Sequence, residues 1–391
     1  VKIAFLSTYP PAPCGIGDYA QQLRLTVERA ATDATIEVIA EHHIQVKREL
    51  EPGVMRAWRR NTDWAGDAAA AVIQSRPDVV HVQHEEAIMH QDGRVVRFLE
   101  LVGAAGIARA VTLHSVYGGI FGPHLLWSPR RFHRGLAANS EAIIVHQRAK
   151  GRDTLERQGV ALNLIHVIPH GTPLLDCPSR EDARRRLNIP VEAKMALFFG
   201  VIHQKKNLHT ALMAAKQVAE RLPDFKFVIA GRARERTPFD DLYVRRLRRH
   251  LEPGFDAGWL DFRNRFIADN DIAYYLAAAD LVLFPHDQRY GSASGVFHLA
   301  LGAGRASVCS SSPKFVEAQE IFGQQIPAAI AETRDVKAWA TSIESMLSNS
   351  DLRRKAEALA RDAAISTSWE NVGRLHAQLY RQLSATKAHW P

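Results

Sequence analysis

The chain has 391 residues, 46% hydrophobic and 24% charged, with 50 Lys and Arg against 42 Asp and Glu for a net charge of +8. That length exceeds what one hydrophobic core ordinarily supports, so two domains are expected, and no apolar run approaches the roughly 20 residues of a membrane span. Three dispersed cysteines, Cys14, Cys177 and Cys309, exclude a disulfide framework and fit a reducing cytoplasm, while the moderate basic excess suits acidic small molecules or an anionic membrane surface and does not imply nucleic acid.

From the N-terminus, VKIAFLSTYPPAP reads as a first strand running into a loop rather than as a leader. Short apolar β-type runs then alternate with helical patterns: Lys2 to Leu6, Thr35 to Ala40, Asp78 to His84, Arg109 to His114, Ala142 to His146 and Leu164 to Ile168. This is the rhythm of a doubly wound parallel sheet, in which ligands bind beyond the carboxyl ends of the strands. After the first strand, Pro10 to Gly17 pairs rigid prolines with two glycines ahead of a helix whose apolar face would carry Ile16, Ala20, Leu23 and Val27. Glycine there permits close approach of backbone to a ligand, though a plain loop fits as well. His84 with Glu85, His114, His146 and His170 each close or follow a strand, which suggests a polar floor to one cleft; any one of them read singly is a structural hydrogen-bonding histidine. His81 and His84 lie three apart on a strand and so face opposite ways, which spoils the obvious metal-ligand pair.

Between His170 and Ser179 the chain loses periodicity and gathers Gly171, Pro173 and Pro178, a linker that places a domain boundary near residue 173. The rhythm resumes with strands at Met195 to Phe199, Lys226 to Ala230, Trp259 to Phe262, Leu281 to Phe284 and Ser307 to Ser310. After the first of these, Lys205 and Lys206 precede Asn207, placed as an N-cap, and a helix with Leu208, Ala211, Leu212, Ala215, Val218, Ala219 and Leu222 at helical spacing. An ammonium at a helix mouth favours a diphosphate, although a solvated Lys-Lys turn fits the same residues. Gly291 to Gly295 (GSASG) opens a helix capped by Ser294 that stops at Gly302 to Gly304, offering a second phosphate seat on the same strand edge. Beyond Pro327 the chain is mostly helical, and Trp369, Val372, Leu375, Leu379 and Tyr380 line a last helix that needs a partner surface.

In order along the chain, CGIGDYA, VTLHSVY, VIPHGTP, FFGVIHQKKN and SWENVGRLHAQLY resemble the motifs of the retaining glycosyltransferases of the GT-B fold, in the bacterial group 1 (family four) enzymes. The resemblance covers nearly the whole chain. It implies two Rossmann-like αβα domains facing a cleft: 1–173 on the acceptor side, completed by a C-terminal helix in 369–391 that crosses back, and 174–368 binding a nucleotide-sugar donor. It places Gly15 and Gly17 near the donor diphosphate, His114 against the donor sugar, and Lys206 where it would neutralise the departing diphosphate. Ser292, Ser294 and Gly295 would offer hydroxyls and amides, Glu317 a donor contact, and Arg263 to Ile267 would flank the base.

Two departures stand out. The family's Arg after the glycine of FFG is Val201 here, with His203 and Lys205 the nearest substitutes, and its two glutamates around the turn and helix fall on Gly291 and Leu299. These point to altered donor recognition before loss of activity. In the reaction the resemblance implies, the acceptor attacks from the face the diphosphate leaves and the leaving phosphate takes its proton, so neither a carboxylate pair nor a metal is required, and no cofactor is expected. The expected partners are a nucleotide sugar, a glycan or lipid-linked acceptor, and an anionic membrane surface, with no nucleic acid; the expected place is the cytoplasm, peripheral to the inner face of the membrane. The acceptor side would include His84, Glu85 and the loops Glu41 to Arg60, Glu85 to Gly93 and Val116 to Arg134, where WSPRRFHRG (Trp127 to Gly135) mixes basic and aromatic residues as a lipid-phosphate site would. The competing reading, motivated by the missing glutamates, is a non-catalytic protein of this fold that binds a nucleotide sugar or glycan as regulator or scaffold.

Overall fold

A computed structural model describes residues 1–42, 51–119, 128–233 and 238–387 of the chain. They divide into two compact units, Val1–Gly171 with Tyr290–Ala293 and Trp369–Pro391, and Thr172–Arg289 with Ser294–Ser368. Both are doubly wound α/β units. The expected acceptor-side segments 43–50 and 120–127, with Trp127, lie outside the described residues.

The first unit contains β1 (Lys2–Ser7), β2 (Thr35–Glu41), β3 (Val54–Trp58), β4 (Val79–His84), β5 (Ala108–Leu113), the short β6 (Ser115–Val116), β7 (Ala142–Val145) and β8 (Ile165–Val167). Its main sheet runs β3-β2-β1-β4-β5-β7-β8, parallel throughout. Such strands are buried on both faces, which is why they read as near-continuous apolar runs. On β1, Ala4 and Leu6 enter one core and Ile3 and Phe5 the other, as period-two geometry requires. The edge strand β3 was not anticipated: its five residues fall in the stretch read as an acceptor loop, and only Val54 and Trp58 of them are buried.

Strands β9 (Lys194–Phe199), β10 (Phe225–Ala230), β11 (Leu260–Arg263) and β12 (Leu281–Phe284) follow in the second unit. β13 (Gly291–Ser292) pairs antiparallel with β6 within the first unit, and β14 (Ser307–Ser310) and β15 (Ile330–Ala331) return to the second. The second sheet runs β11-β10-β9-β12-β14-β15, again parallel. Strand order therefore reverses between β1 and β4 in one unit and between β9 and β12 in the other. At such a switch point the flanking loops diverge to opposite faces and leave a crevice.

The helices that begin beyond these strand ends are α1 (Gly15–Ala30), α2 (Leu208–Ala219) and α3 (Gly295–Gly302), and the last helix of the chain is α4 (Trp369–Lys387). Val372, Leu379, Tyr380 and Leu383 of α4 are buried in the core that α1 lines, the partner surface that its apolar stripe required. Contact is close enough that a Cβ on Gly373 would lie 2.8 Å from the Thr26 carbonyl. Leu375, expected on the stripe, is 41% exposed. No helix among the described residues is long and apolar enough to cross a membrane.

Candidate functional site

In the second unit the site residues gather where β9 and β12 end. Past Phe199 the chain turns at Gly200 with φ +121°, a conformation that favours glycine, and a Cβ there would lie 3.3 Å from Val296 in the first turn of α3. Gly231, after β10, has φ +149° and no room for a side chain, since its Cβ would fall 2.0 Å from the Gly200 carbonyl. The two glycines thus let two strand ends and the start of α3 close on one spot. A single 3₁₀ turn, Gln204–Lys206, carries both lysines, and His203 Nδ1 accepts from the Lys205 amide at 3.3 Å. Lys205 stays exposed, and its carbonyl accepts from the Asp287 amide at 2.9 Å, tying the β9 loop to the β12 loop.

Lys206, half-buried, lies with Nζ 2.6 Å from Nε2 of the buried His286. Burial and the neighbouring Lys314 push the Lys206 ammonium down to about 7 from its usual 10.5, and burial with Lys206 and Lys314 holds His286 well below its ordinary value. What shifts both groups, apart from lost water, is other cations. An anion in this place would relieve that crowding. His286 escaped the sequence reading although it stands two residues past β12, where the strand-end rule applied; Lys314, after β14, escaped it in the same way.

Asn207 departs from its expected role. It precedes α2 in the left-handed conformation, φ 48°, with no cap bond from its side chain to the helix amides. Its Oδ1 accepts from Thr210 Oγ1 at 2.9 Å and its Nδ2 donates to the Thr333 carbonyl at 2.7 Å, so it pins the turn sideways. Ser294 does cap α3, Oγ accepting from the Phe297 amide at 3.4 Å, with Gly295 exposed beside it. Glu317 Oε2 lies 3.2 Å from Nε2 of the fully buried His298, whose Nδ1 meets Thr172 Oγ1 at 2.7 Å. Arg263, on the loop expected to flank a base, is paired with Asp261 at 2.6 Å, while Phe266 beside it is 74% exposed.

In the first unit, Gly15 and Gly17 lie inside the first turn of α1 rather than ahead of it. They are not equivalent. A Cβ on Gly17 would press at 3.2 Å on the Tyr9 backbone, whereas one on Gly15 would meet nothing within 4 Å among the described residues. His114, His146 and His170 surround the Tyr19 ring at centroid distances of 4.7, 5.5 and 5.2 Å. His114 Nε2 is 3.0 Å from Gln83 Oε1 and its Nδ1 is 3.2 Å from His146 Nε2, and burial holds His114 well below its ordinary value. His84 does not join them. It is fully buried on the opposite face of the sheet, its ring 4.9 Å from Phe132 and its Nε2 3.1 Å from the His90 carbonyl, so it offers no surface to an acceptor. His81 turns the other way, to Tyr380 at 2.6 Å, the opposed orientation that the three-residue spacing implied. Glu85 accepts from Ser115 Oγ at 2.8 Å, and Ser115 faces Ser292 across the β6 and β13 pair. A small cavity is lined by His114, His146, Gln147 and Ser292. Among the described residues no group of three or more His, Cys, Asp and Glu is placed to hold a metal ion.

A family model described as glycosyl transferases group 1 matches residues 193–349, within which lies most of the second unit. That stretch is similar to the group 1 glycosyltransferases. A curated relative in this functional class, the D-inositol 3-phosphate glycosyltransferase of Corynebacterium urealyticum, is 27% identical over 288 residues, 68% of this chain and 62% of the relative. The chain spans about three fifths of the length of the curated relatives it matches. Among solved structures, HepE of Anabaena in complex with UDP aligns with a TM-score of 0.73 at 17% identity over 98% of this chain and 100% of that one. Sucrose-phosphate synthase from Thermosynechococcus elongatus aligns at 0.75 and 18% over 98% and 99%. At such identity these two establish a shared fold, the GT-B architecture.

Proposed function

We propose that this chain is a group 1 glycosyltransferase, a retaining hexosyltransferase that moves a sugar from a nucleotide-diphosphate sugar to a glycan or lipid-linked acceptor in bacterial polysaccharide or glycolipid assembly. One observation carries the reading: at the β9 and β12 switch point Lys206, His286 and Lys314 crowd together with cations as the neighbours that shift them, beside the Ser294-capped start of α3. A leaving diphosphate is the charge that such a site would stabilise. HepE in complex with UDP and UDP-glucose, on the same fold, supports a uridine nucleotide as the first donor to test.

In this reading Lys206 meets the charge developing on the leaving phosphate, and the amides of Ser294 and Gly295 meet the same oxygens. His203 and Lys205 stand in for the family arginine lost at Val201. His114, neutral through burial, offers a hydrogen bond to the donor sugar, Gly15 leaves space at the start of α1 for diphosphate, and Ser292 and Glu317 add polar contacts. Glu85 takes the acceptor side without His84. The acceptor hydroxyl attacks the anomeric carbon from the face the diphosphate leaves, and a leaving phosphate oxygen takes its proton. No step is assigned to a metal.

The test is a melting-temperature panel of UDP, GDP, ADP, dTDP and their sugar conjugates, followed by transfer assays with inositol 3-phosphate, polyprenyl phosphates and oligosaccharides as acceptors. Selective stabilisation by one nucleotide, then retention of anomeric configuration in the product by NMR, is the expected result. Selective binding with no transfer to any acceptor would favour the non-catalytic reading, which Gly291 and Leu299 motivate. For the membrane surface, Arg130, Arg131 and Arg134 are exposed on the helix Pro129–Ala138. Their triple change to Ser should weaken binding to anionic liposomes, and unchanged binding would retire that partner and the peripheral location with it.

A further inference from the structure

Between Lys206 Nζ and His286 Nε2, 2.6 Å apart, there is room for one hydrogen, and it can belong to either nitrogen. An ammonium would donate to a bare Nε2, which puts the neutral imidazole's own N–H on Nδ1. An amine would instead accept from Nε2–H and leave Nδ1 bare. His286 Nδ1 is buried with no hydrogen-bond partner among the described residues, and an orphaned buried N–H is the costlier of the two vacancies. The surroundings act in the same direction. Lys314, from the segment after β14, and His203, from the β9 loop, both add positive potential, while Asp287, the acid next to His286 in sequence, is engaged by Arg334. Phe284 and Phe315 pack against the imidazole at centroid distances of 6.3 and 5.0 Å and fix its plane.

Resting on the nucleotide-site reading, we propose that His286 is a positioning residue that holds Lys206 as a neutral amine in the empty site, so that seating a nucleoside diphosphate draws one proton from solvent onto Lys206. On binding, the Lys206 nitrogen takes the proton and points it between a phosphate oxygen and the Nε2 lone pair, and His286 moves its own N–H to Nδ1. Only N–H bonds are made and broken, and the added proton comes from water or buffer. The diphosphate charge offsets the stranded Nδ1–H. Donor affinity is then coupled to pH: above the point where the empty site loses its proton, near 7, each further pH unit weakens diphosphate binding up to tenfold.

Isothermal titration of the full chain with UDP, GDP and ADP at pH 7.5 and 8.5, each in buffers of unequal ionisation enthalpy, counts the protons. The phosphates are already fully ionised over this range. The nucleotide that binds should take up close to one proton at pH 8.5, with Kd up to tenfold weaker than at pH 7.5. H286F keeps the aromatic packing without ring nitrogens and should take up fewer protons than the wild type at pH 7.5, the remainder owed to burial and Lys314; H286Q, whose amide can donate to the amine, should restore the uptake. Binding with no uptake in the wild type, or uptake in H286F equal to that of the wild type, overturns the proposal and leaves the nucleotide site standing. No binding of any of the three nucleotides refutes the nucleotide site and this coupling together.

Discussion

Lys206→Met should make the protein more stable while making it worse at its task. The side chain keeps its length and loses its charge. In the folded state burial and Lys314 hold Lys206 at about 7 against its ordinary 10.5, so below pH 7 both folded and unfolded chains carry the proton and the folded one bears the full penalty. Between pH 7 and 10.5 the unfolded state binds more protons, stability of the wild type rises, and the penalty fades. At about 1.4 kcal/mol for each tenfold, the whole drop corresponds to roughly 5 kcal/mol as an upper limit. Lys206 keeps part of its surface in water, so about 1–3 kcal/mol is the expected gain for the variant at pH 6, shrinking to less than a third of that at pH 10. Urea unfolding of both proteins at the two pH values measures it, with the transitions of the two units fitted separately if they part. A variant no more stable than wild type at pH 6, or a gap that ignores pH, would refute the charge-crowding account. Turnover should fall about 10²–10³-fold, the usual cost of removing one group aimed at developing charge.

Three further outcomes rest on contacts within single units. Gly171→Ala would put a Cβ 2.2 Å from the Trp369 ring; displacing the start of α4 should cost about 1–3 kcal/mol and lower amide protection along that helix in hydrogen exchange. Arg184→Met removes a buried guanidinium that donates to Asp280 at 2.7 Å, to the Ala278 carbonyl at 3.0 Å and to the Val191 carbonyl. Because Arg180 still pairs with Asp280 at 2.8 Å, the loss should be about 2–4 kcal/mol by urea midpoint, below that of stripping the acid of all partners. Gly291→Glu restores a carboxylate where the family has one, yet a Cβ there would lie 2.5 Å from the Lys150 carbonyl; it should lower the melting temperature and bring no rise in nucleotide affinity by titration.

Much of this was written in local interactions. Strands β12 and β14, Leu281–Phe284 and Ser307–Ser310, end where apolar runs end, and the Ser294 cap with the helix stop near Gly302 to Gly304 follows from hydroxyl and glycine chemistry within a few residues. The last helix announced its need for a partner through its apolar spacing. Features that failed were those in which local pattern and tertiary context disagree: β3 has only two buried residues to mark it, and Asn207, a good cap by type, spends its amide on Thr333 and Thr210 instead.

What the tertiary structure alone decided is which of these punctuation marks meet. Strand order is fixed by how the crossover helices cover both faces of each sheet, and that packing, invisible in a window of ten residues, puts the switch points after β1 and β9. It sends His84 to one face while His114 and His146, just past the ends of adjacent strands, share a hydrogen-bond contact beneath Tyr19. It also brings Lys206 onto His286, eighty positions along the chain, and buries it near Lys314, which lowers the affinity of the lysine for its proton. Periodicity and capping are short-range energies and can be read in order; desolvation and charge crowding depend on neighbours in space, and only the fold supplies those.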